Sequence, residues 1–295
     1  VVLRRPLLET PYAVAFKSSP EQNPQGVKQN ARMLFVVPWR GTSMVGTLYS
    51  VCDEAPDSWQ VNDAEIQSLL RQINQAYPPA QLTEDDVAFV HGGLLPQTGV
   101  SSREEPLLAK RYRICDHAFE GYRGLLSVTG VKYTTSRDIA EKVVDYLFRA
   151  WGQTVPPSRS ATTPLAGGTI DNIEDFIQHT ISQDNVRLTP QTFRSLIYNY
   201  GSAYSEVFTN EIEDCDQAVT AQVRYAVRAE MAKTLKDVIF RRTELGSAGL
   251  PDMWLIRLCG DVMAAELGWS HTQTQTEVHS LCSENRSSNP EFVTL

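Results

Sequence analysis

The chain has 295 residues, 42% of them hydrophobic, and a formal net charge of −8. That length allows a sizeable core and two domains, and the acidic balance argues against a nucleic-acid partner, which needs clustered Lys and Arg. The five cysteines (Cys52, Cys115, Cys215, Cys259 and Cys282) are far apart and form no C-x-x-C pair, which argues against a metal site or a disulfide framework and for a reducing, cytoplasmic setting.

No apolar run of about 20 residues offers a membrane span, and no signal peptide is visible. The first residue is not Met and the chain opens in a strand-like run, which reads as a piece of a longer protein. Residues 1–151 mix strands and helices. Pro11–Lys17 and Arg32–Trp39 are strand-like, Arg40-Gly41-Thr42-Ser43 is a turn, and Met44–Tyr49 returns. Asn62 with Glu65 three residues on predicts a capping-box helix start, with Ile66, Leu69, Leu70 and Ile73 at helical spacing and Pro78-Pro79 as the stop. Val87–Val90, Arg111–Cys115 and Leu125–Thr129 read as further strands, with Gly92-Gly93 and Pro96 marking irregular backbone. A helix from Thr135 carries Ile139, Val143, Val144, Leu147, Phe148 and Trp151 as one apolar stripe, which predicts packing on a sheet.

Residues 152–170, rich in Pro, Gly, Ser and Thr, read as a linker. Beyond it the predicted helices are Ile170–Ser182, Pro190–Tyr200, Asp216–Thr234, Lys236–Leu245 and Asp252–Leu267, with Thr189-Pro190 as a cap followed by proline. The tail from about His271 is polar and is expected to be loose at its end. The fold class is therefore α+β: an antiparallel or mixed sheet portion followed by an all-α C-terminal domain over residues 171–295.

The most informative stretch is Leu125–Arg137. An apolar strand ends at Gly130, Lys132 follows the turn, and a helix begins at once. Free N–H groups at a helix start favour negative charge, and a lysine adds a full positive charge. The segment suits an anion, or a group that becomes anionic during reaction; the plainer alternative is a solvated lysine after a turn. Thr134 and Thr135 either bind a ligand's oxygens or cap the helix, the latter with Asp138 completing an imperfect box. Arg32 and Arg40 read as surface charge, His91 and His117 as structural groups, Arg241-Arg242 as cations at a helix end, and Gly167-Gly168 as a turn. No G-x-G-x-x-G follows a strand and no P-loop is present.

Several motifs, in order, resemble the FAD-dependent glycerol-3-phosphate dehydrogenase family. They are Arg32–Trp39 with Val45-Gly46-Thr47, then Leu82-Thr83-Glu84-Asp85-Asp86-Val87, then Gly130-Val131-Lys132-Tyr133-Thr134-Thr135-Ser136-Arg137. Tyr200-Gly201-Ser202 and Ile239–Gly246 follow in the helical part. The resemblance implies the C-terminal half of a flavoenzyme: the later part of a substrate-binding sheet, the last strand and helix of the FAD domain, and the helical domain, without the N-terminal dinucleotide-binding motif. It implies that Gly130, Val131, Lys132, Tyr133 and Thr134 border the flavin ring, where a cation and a helix start stabilise the reduced form. Lys132 would also reach the substrate's anionic group.

Two departures bear on the substrate. Where the family has "Gly-Val-Arg-Pro" this chain has Gly93-Leu94-Leu95-Pro96, and where it has "Thr-Arg-Asp-Tyr" this chain has Ala109-Lys110-Arg111-Tyr112. The substrate-binding positions are thus Lys132, Lys110 and Leu95, with Arg111 able to stand in only if the register slips. Arg→Leu removes a bidentate donor and Arg→Lys turns a fork into a point charge. The implied activity is oxidation of a secondary alcohol to a ketone by hydride transfer to FAD. Its partners are a small-molecule substrate and a quinone or other electron acceptor, with peripheral membrane association and a homo-oligomer left open. The alternatives are a related flavoenzyme acting on an unphosphorylated or hydroxy-acid substrate, and a non-catalytic helical interaction module. No catalytic base is identified, and these residues alone are expected to be inactive.

Overall fold

The structure is a computed structural model describing residues 1–19, 21–22, 28–29, 31–55, 59–100, 106–183, 189–208 and 215–284. Contacts divide the chain into two units, Val1–Thr163 and Pro164–Leu295. The first contains β1 (Val2–Leu3), β2 (Val14–Lys17), β3 (Glu21–Gln22), β4 (Lys28–Gln29), β5 (Met33–Trp39), β6 (Thr42–Gly46), helix α1 (Asp63–Ala76) and β7 (Val87–Phe89). Five strands form an antiparallel sheet in the order β2-β5-β6-β1-β7. The β5–β6 hairpin turns on two residues rather than four. Arg40 (φ 49°) and Gly41 (φ 83°) both take positive φ, the twist that suits a tight hairpin, and Trp39 already pairs with Thr42. Residues 11–13 and 47–49 lie outside the strands expected of them.

One face of this sheet packs on α1. Leu3, Leu34, Val36 and Val45 meet Leu69, Leu70 and Ile73 in a buried cluster. The alternation along β5 puts Leu34 and Val36 on that face and leaves Met33 and Phe35 exposed on the other. The capping box of α1 forms as the sequence predicts. The Asn62 side chain accepts from the Glu65 N–H at 2.9 Å, and the Glu65 carboxylate accepts from the Asn62 N–H at 3.2 Å; such caps contribute about 1 kcal/mol. Arg32 is no free surface charge. Its guanidinium donates twice to Oε1 of the buried Gln72 of α1, at 2.7 and 3.1 Å.

Asp86 ties the segment after β1 to the start of β7. Its carboxylate accepts from the Thr83 N–H at 2.9 Å and from Arg5 Nε at 3.0 Å. The Thr83 N–H, with Arg5 adding to it, holds the carboxyl below its ordinary value of 3.8. A depressed folded-state pKa contributes stability above the unfolded value and loses it as pH falls through the folded one. Asp86→Asn is therefore expected to lower the urea midpoint at neutral pH, with the gap to the parent closing as the solution is acidified below the ordinary Asp value. A gap that persists unchanged in acid would contradict this.

The rest of the unit is lightly built. β8 (Gln97–Val100) and β9 (Pro106–Leu108) form a hairpin, and β10 (Arg113–Asp116) pairs with β11 (Leu126–Thr129), from Arg113↔Thr129 to Asp116↔Leu126. Helix α2 (Ser136–Ala150) follows.

The second unit is helical: α3 (Ile173–Gln183), α4 (Pro190–Tyr200), α5 (Tyr204–Val207), α6 (Cys215–Arg228), α7 (Leu235–Asp237), α8 (Met253–Leu267) and α9 (His271–Glu284). The expected cap at Thr189 is present, its hydroxyl accepting from the Thr192 N–H at 3.2 Å. Two expectations are corrected. The helix predicted over 216–234 ends at Arg228, because Met231 turns to φ 61° and a new capping box, Thr234 with Asp237, starts another helix. The helix predicted over 236–245 widens into a π-turn at Val238–Arg242, where the N–H and hydroxyl of Thr243 both donate to the Val238 carbonyl at 3.1 and 2.7 Å. The polar tail is helical through Glu284, since Val278, Leu281 and Cys282 enter the core with Ile239, Ile256, Cys259 and Met263. Its expected loose end falls on residues 285–295, outside the described residues. Arg241 closes the π-turn as a cation and pairs with Asp237 at 2.8 Å.

Gly167-Gly168 does more than turn. The Ser202 N–H donates to the Gly167 carbonyl at 2.9 Å, and the Thr169 and Ser202 hydroxyls lie 2.8 Å apart. The two backbones cross so closely that a Cβ on Gly201 would sit 2.0 Å from the Gly167 oxygen.

Candidate functional site

The β10–β11 pairing decides where the chemistry collects. Because Arg113 faces Thr129, residues 110–112 entering β10 lie beside residues 130–132 leaving β11. Gly130 marks the approach: a Cβ there would lie 3.4 Å from that of Tyr112. Lys132 takes the cap position of a one-turn 3-10 helix, Tyr133–Thr135, which feeds directly into α2. Between these three segments is a cavity of about 460 Å³. It is lined by Ala109, Lys110, Arg111 and Tyr112, by Gly130, Val131 and Lys132, and by Thr135, Asp138 and Ile139 at the head of α2.

The lining is electropositive. Lys110, Arg111 and Lys132 are exposed, and among the described residues their side chains make no hydrogen bond or ion pair. The one carboxylate, Asp138, is taken by Lys142 at 2.5 Å, and that ammonium also lies 5.4 Å from the Tyr112 ring centre; Asp138 raises the Lys142 pKa. The predicted Thr135–Asp138 capping box does not form. Thr135 donates its hydroxyl to the Lys132 carbonyl at 3.1 Å instead, and α2 has no side-chain cap. The first amide of α2 is instead satisfied by the preceding turn, the Ser136 N–H donating to the Tyr133 carbonyl, and the head of the helix lies beside three cations.

Helix α2 is held to β10 by the Tyr146 hydroxyl, which donates to Asp116 at 2.5 Å. This bond lowers the Asp116 pKa and raises that of Tyr146. The apolar stripe of α2 is only partly covered: no residue of the helix is fully buried, and Val144 and the following Trp151 are 48% and 63% exposed.

Of the residues singled out from the sequence, Gly130, Val131, Lys132 and Lys110 meet at this cavity. Tyr133 and Thr134 continue the turn without lining it, Tyr133 being 95% exposed. Leu95 lies in the irregular segment before β8 and is not among the lining residues. His117 is bound between Ser127 Oγ at 2.8 Å and Glu120 at 3.1 Å, and His91 packs on the edge of Phe89, as structural histidines do. Arg111 entered the sequence reading only as a stand-in dependent on a register slip, and Asp138 only as a capping residue; both line this cavity. For Arg111 the signal was the strand pairing, which sets residue 111 across from the turn at 131.

Residues 158–274, nearly all in the helical unit, match the family described as the C-terminal domain of alpha-glycerophosphate oxidase. Glycerol-3-phosphate dehydrogenase of Synechocystis is 27% identical over 258 residues, which is 84% of this chain and 46% of that protein. Aerobic glycerol-3-phosphate dehydrogenase of Escherichia coli K12 is 27% identical over 235 residues, 77% of this chain and 45% of that protein. The crystal structure of glycerol-3-phosphate dehydrogenase from Bacillus halodurans, complexed with FAD, has the same fold. Its TM-score is 0.71 at 21% identity, over 96% of this chain and 58% of that one. The class is thus an α+β chain whose helical unit is of the glycerophosphate-oxidase C-terminal type. The chain is similar to glycerol-3-phosphate dehydrogenases, and it spans about half the length of the curated relatives it matches.

Proposed function

We propose that this chain is the C-terminal portion of an FAD-dependent oxidoreductase that oxidises the secondary alcohol of glycerol 3-phosphate, or a close analogue, to a ketone. The observation that carries the reading is the cavity at the head of α2, where Lys132, Lys110 and Arg111 converge beside the helix start. Its residues fit an electron-rich ring edge: Gly130 keeps the approach open, Val131 and Ile139 supply apolar surface, and Lys132 supplies charge. FAD, when bound, would accept the hydride from the carbinol carbon. The chain's own residues bind and orient. Lys132 and the positive end of the helix dipole stabilise negative charge at their end of the cavity, while Lys110 and Arg111 attract the substrate's anionic group. The hydroxyl proton goes to a base outside this lining, since Asp138 is committed to Lys142. A quinone or other acceptor is the proposed electron sink.

The test is anaerobic addition of glycerol 3-phosphate to the FAD-loaded full-length protein. Bleaching of the oxidised-flavin absorbance is expected. A second reading, a related flavoenzyme with a different substrate, is favoured by the position of Leu95 away from the cavity and by Lys110 in place of an arginine. Bleaching by glycerol or a hydroxy acid but not by glycerol 3-phosphate would establish that reading instead. Protein that retains no flavin would overturn both.

A further inference from the structure

We propose that Lys142, which does not itself line the cavity, is a positioning residue for it: its ammonium holds the Asp138 carboxylate and so keeps a negative charge from acting where the flavin edge gains electrons. This rests on the reading that the cavity receives that edge. Asp138 is the acidic side chain of the lining, and it stands in the first turn of α2. Its Oδ2 lies 2.5 Å from Lys142 Nζ. The same ammonium sits 5.4 Å from the ring centre of Tyr112, a lining residue just before β10. An electron-rich ring face attracts a cation, so the lysine is held from two sides, by the helix and by the strand pair. Arg137 with Glu141 at 2.7 Å and Arg149 with Asp145 at 3.1 Å have the same spacing on α2, yet none of those side chains lines the cavity. An exposed pair of this kind adds little to helix stability. What distinguishes the pair at Asp138 is its place. Without the lysine, an uncompensated carboxylate would face the developing negative charge and disfavour it.

The experiment compares Lys142→Met, Asp138→Asn and the double variant. In the FAD-loaded full-length protein the readout is the flavin midpoint potential. Lys142→Met is expected to disfavour the reduced form about tenfold, a fall of ~30 mV for a two-electron couple. The double variant should return to the parent value, because the charge that Lys142 balanced is gone. Lys142→Arg keeps the cation and should stay near the parent. Arg149→Met, on the same helix and outside the lining, should shift nothing. In the 295-residue chain without flavin, the readout is the amide NMR spectrum of residues 110–112 and 130–132. Lys142→Met should move these signals as the freed carboxylate draws on the cavity's cations, and adding Asp138→Asn should move them back. A lysine that only supported the helix would not be rescued by loss of its partner's charge. Should Lys142→Met misfold, Lys142→Gln carries the comparison. A potential unchanged in Lys142→Met, or a fall that the double variant does not repair, overturns the proposal, as do amide shifts that Asp138→Asn leaves in place. Protein that takes up no flavin defeats the dehydrogenase reading instead, and the amide comparison, which needs no flavin, still decides whether the pair sets the charge of the cavity.

Discussion

Replacing Gly201 by alanine is expected to destabilise the helical unit by about 3 kcal/mol or more, seen as a fall of roughly 10 °C in its thermal midpoint. Two independent causes add. Gly201 holds φ 57° and ψ −136°, a region closed to residues with a Cβ. The new methyl would also sit 2.0 Å from the Gly167 carbonyl oxygen and 2.8 Å from its carbon, so the crossing strands must part and the bond from Ser202 to Gly167 must lengthen. Gly167→Ala meets the Tyr200 carbonyl at 2.1 Å and should behave alike. Because both changes break one crossing, the double variant should cost clearly less than the sum. A midpoint within a degree or two of the parent for Gly201→Ala would remove the crossing from the account of this unit's stability.

The second large effect is on turnover. In the FAD-loaded full-length enzyme, Lys132→Met is expected to lower the rate of substrate-driven reduction of an artificial acceptor by about 10²–10³-fold, the usual consequence of removing a charge aimed at developing negative charge. Lys132→Arg should recover part of the rate. Thermal stability should move little, within about 0.5 kcal/mol, since the side chain is exposed and unpaired among the described residues. Full activity in Lys132→Met would sink the electrostatic role, while a parallel loss of rate and stability would make the lysine structural.

Local signals were legible from the sequence. The Asn62–Glu65 box, the proline stop at Pro78, the cap at Thr189 and the strand–turn–helix around Lys132 each depend on residues within one or two turns, and each formed. What was missed depends on distant neighbours. Helix α9 reads as polar because only its inward positions, such as Val278, Leu281 and Cys282, are apolar, and their partners lie on α7, α8 and the π-turn. The π-turn exists because Thr243 and Gly246 reach back to Val238 and Ile239. The β8–β9 hairpin carries Gly, Thr and Gln where strand signals are weak. In the site, Gly130, Val131, Lys132 and Lys110 were legible, yet Arg111 required a register that no single-strand pattern contains.

The cavity is carried by a two-stranded ribbon and a half-covered helix, whereas the five-stranded sheet of the same unit has a packed core. A ribbon of two strands has little cohesion of its own, so the amides around residues 112–132 belong to the readily opening end of the unit's range. Whatever occupies the space binds the closed form better than the open one, and its affinity is thereby converted into order. Loading and rigidity are then a single equilibrium, in which an empty cavity leaves the segment loose and a filled one fixes it.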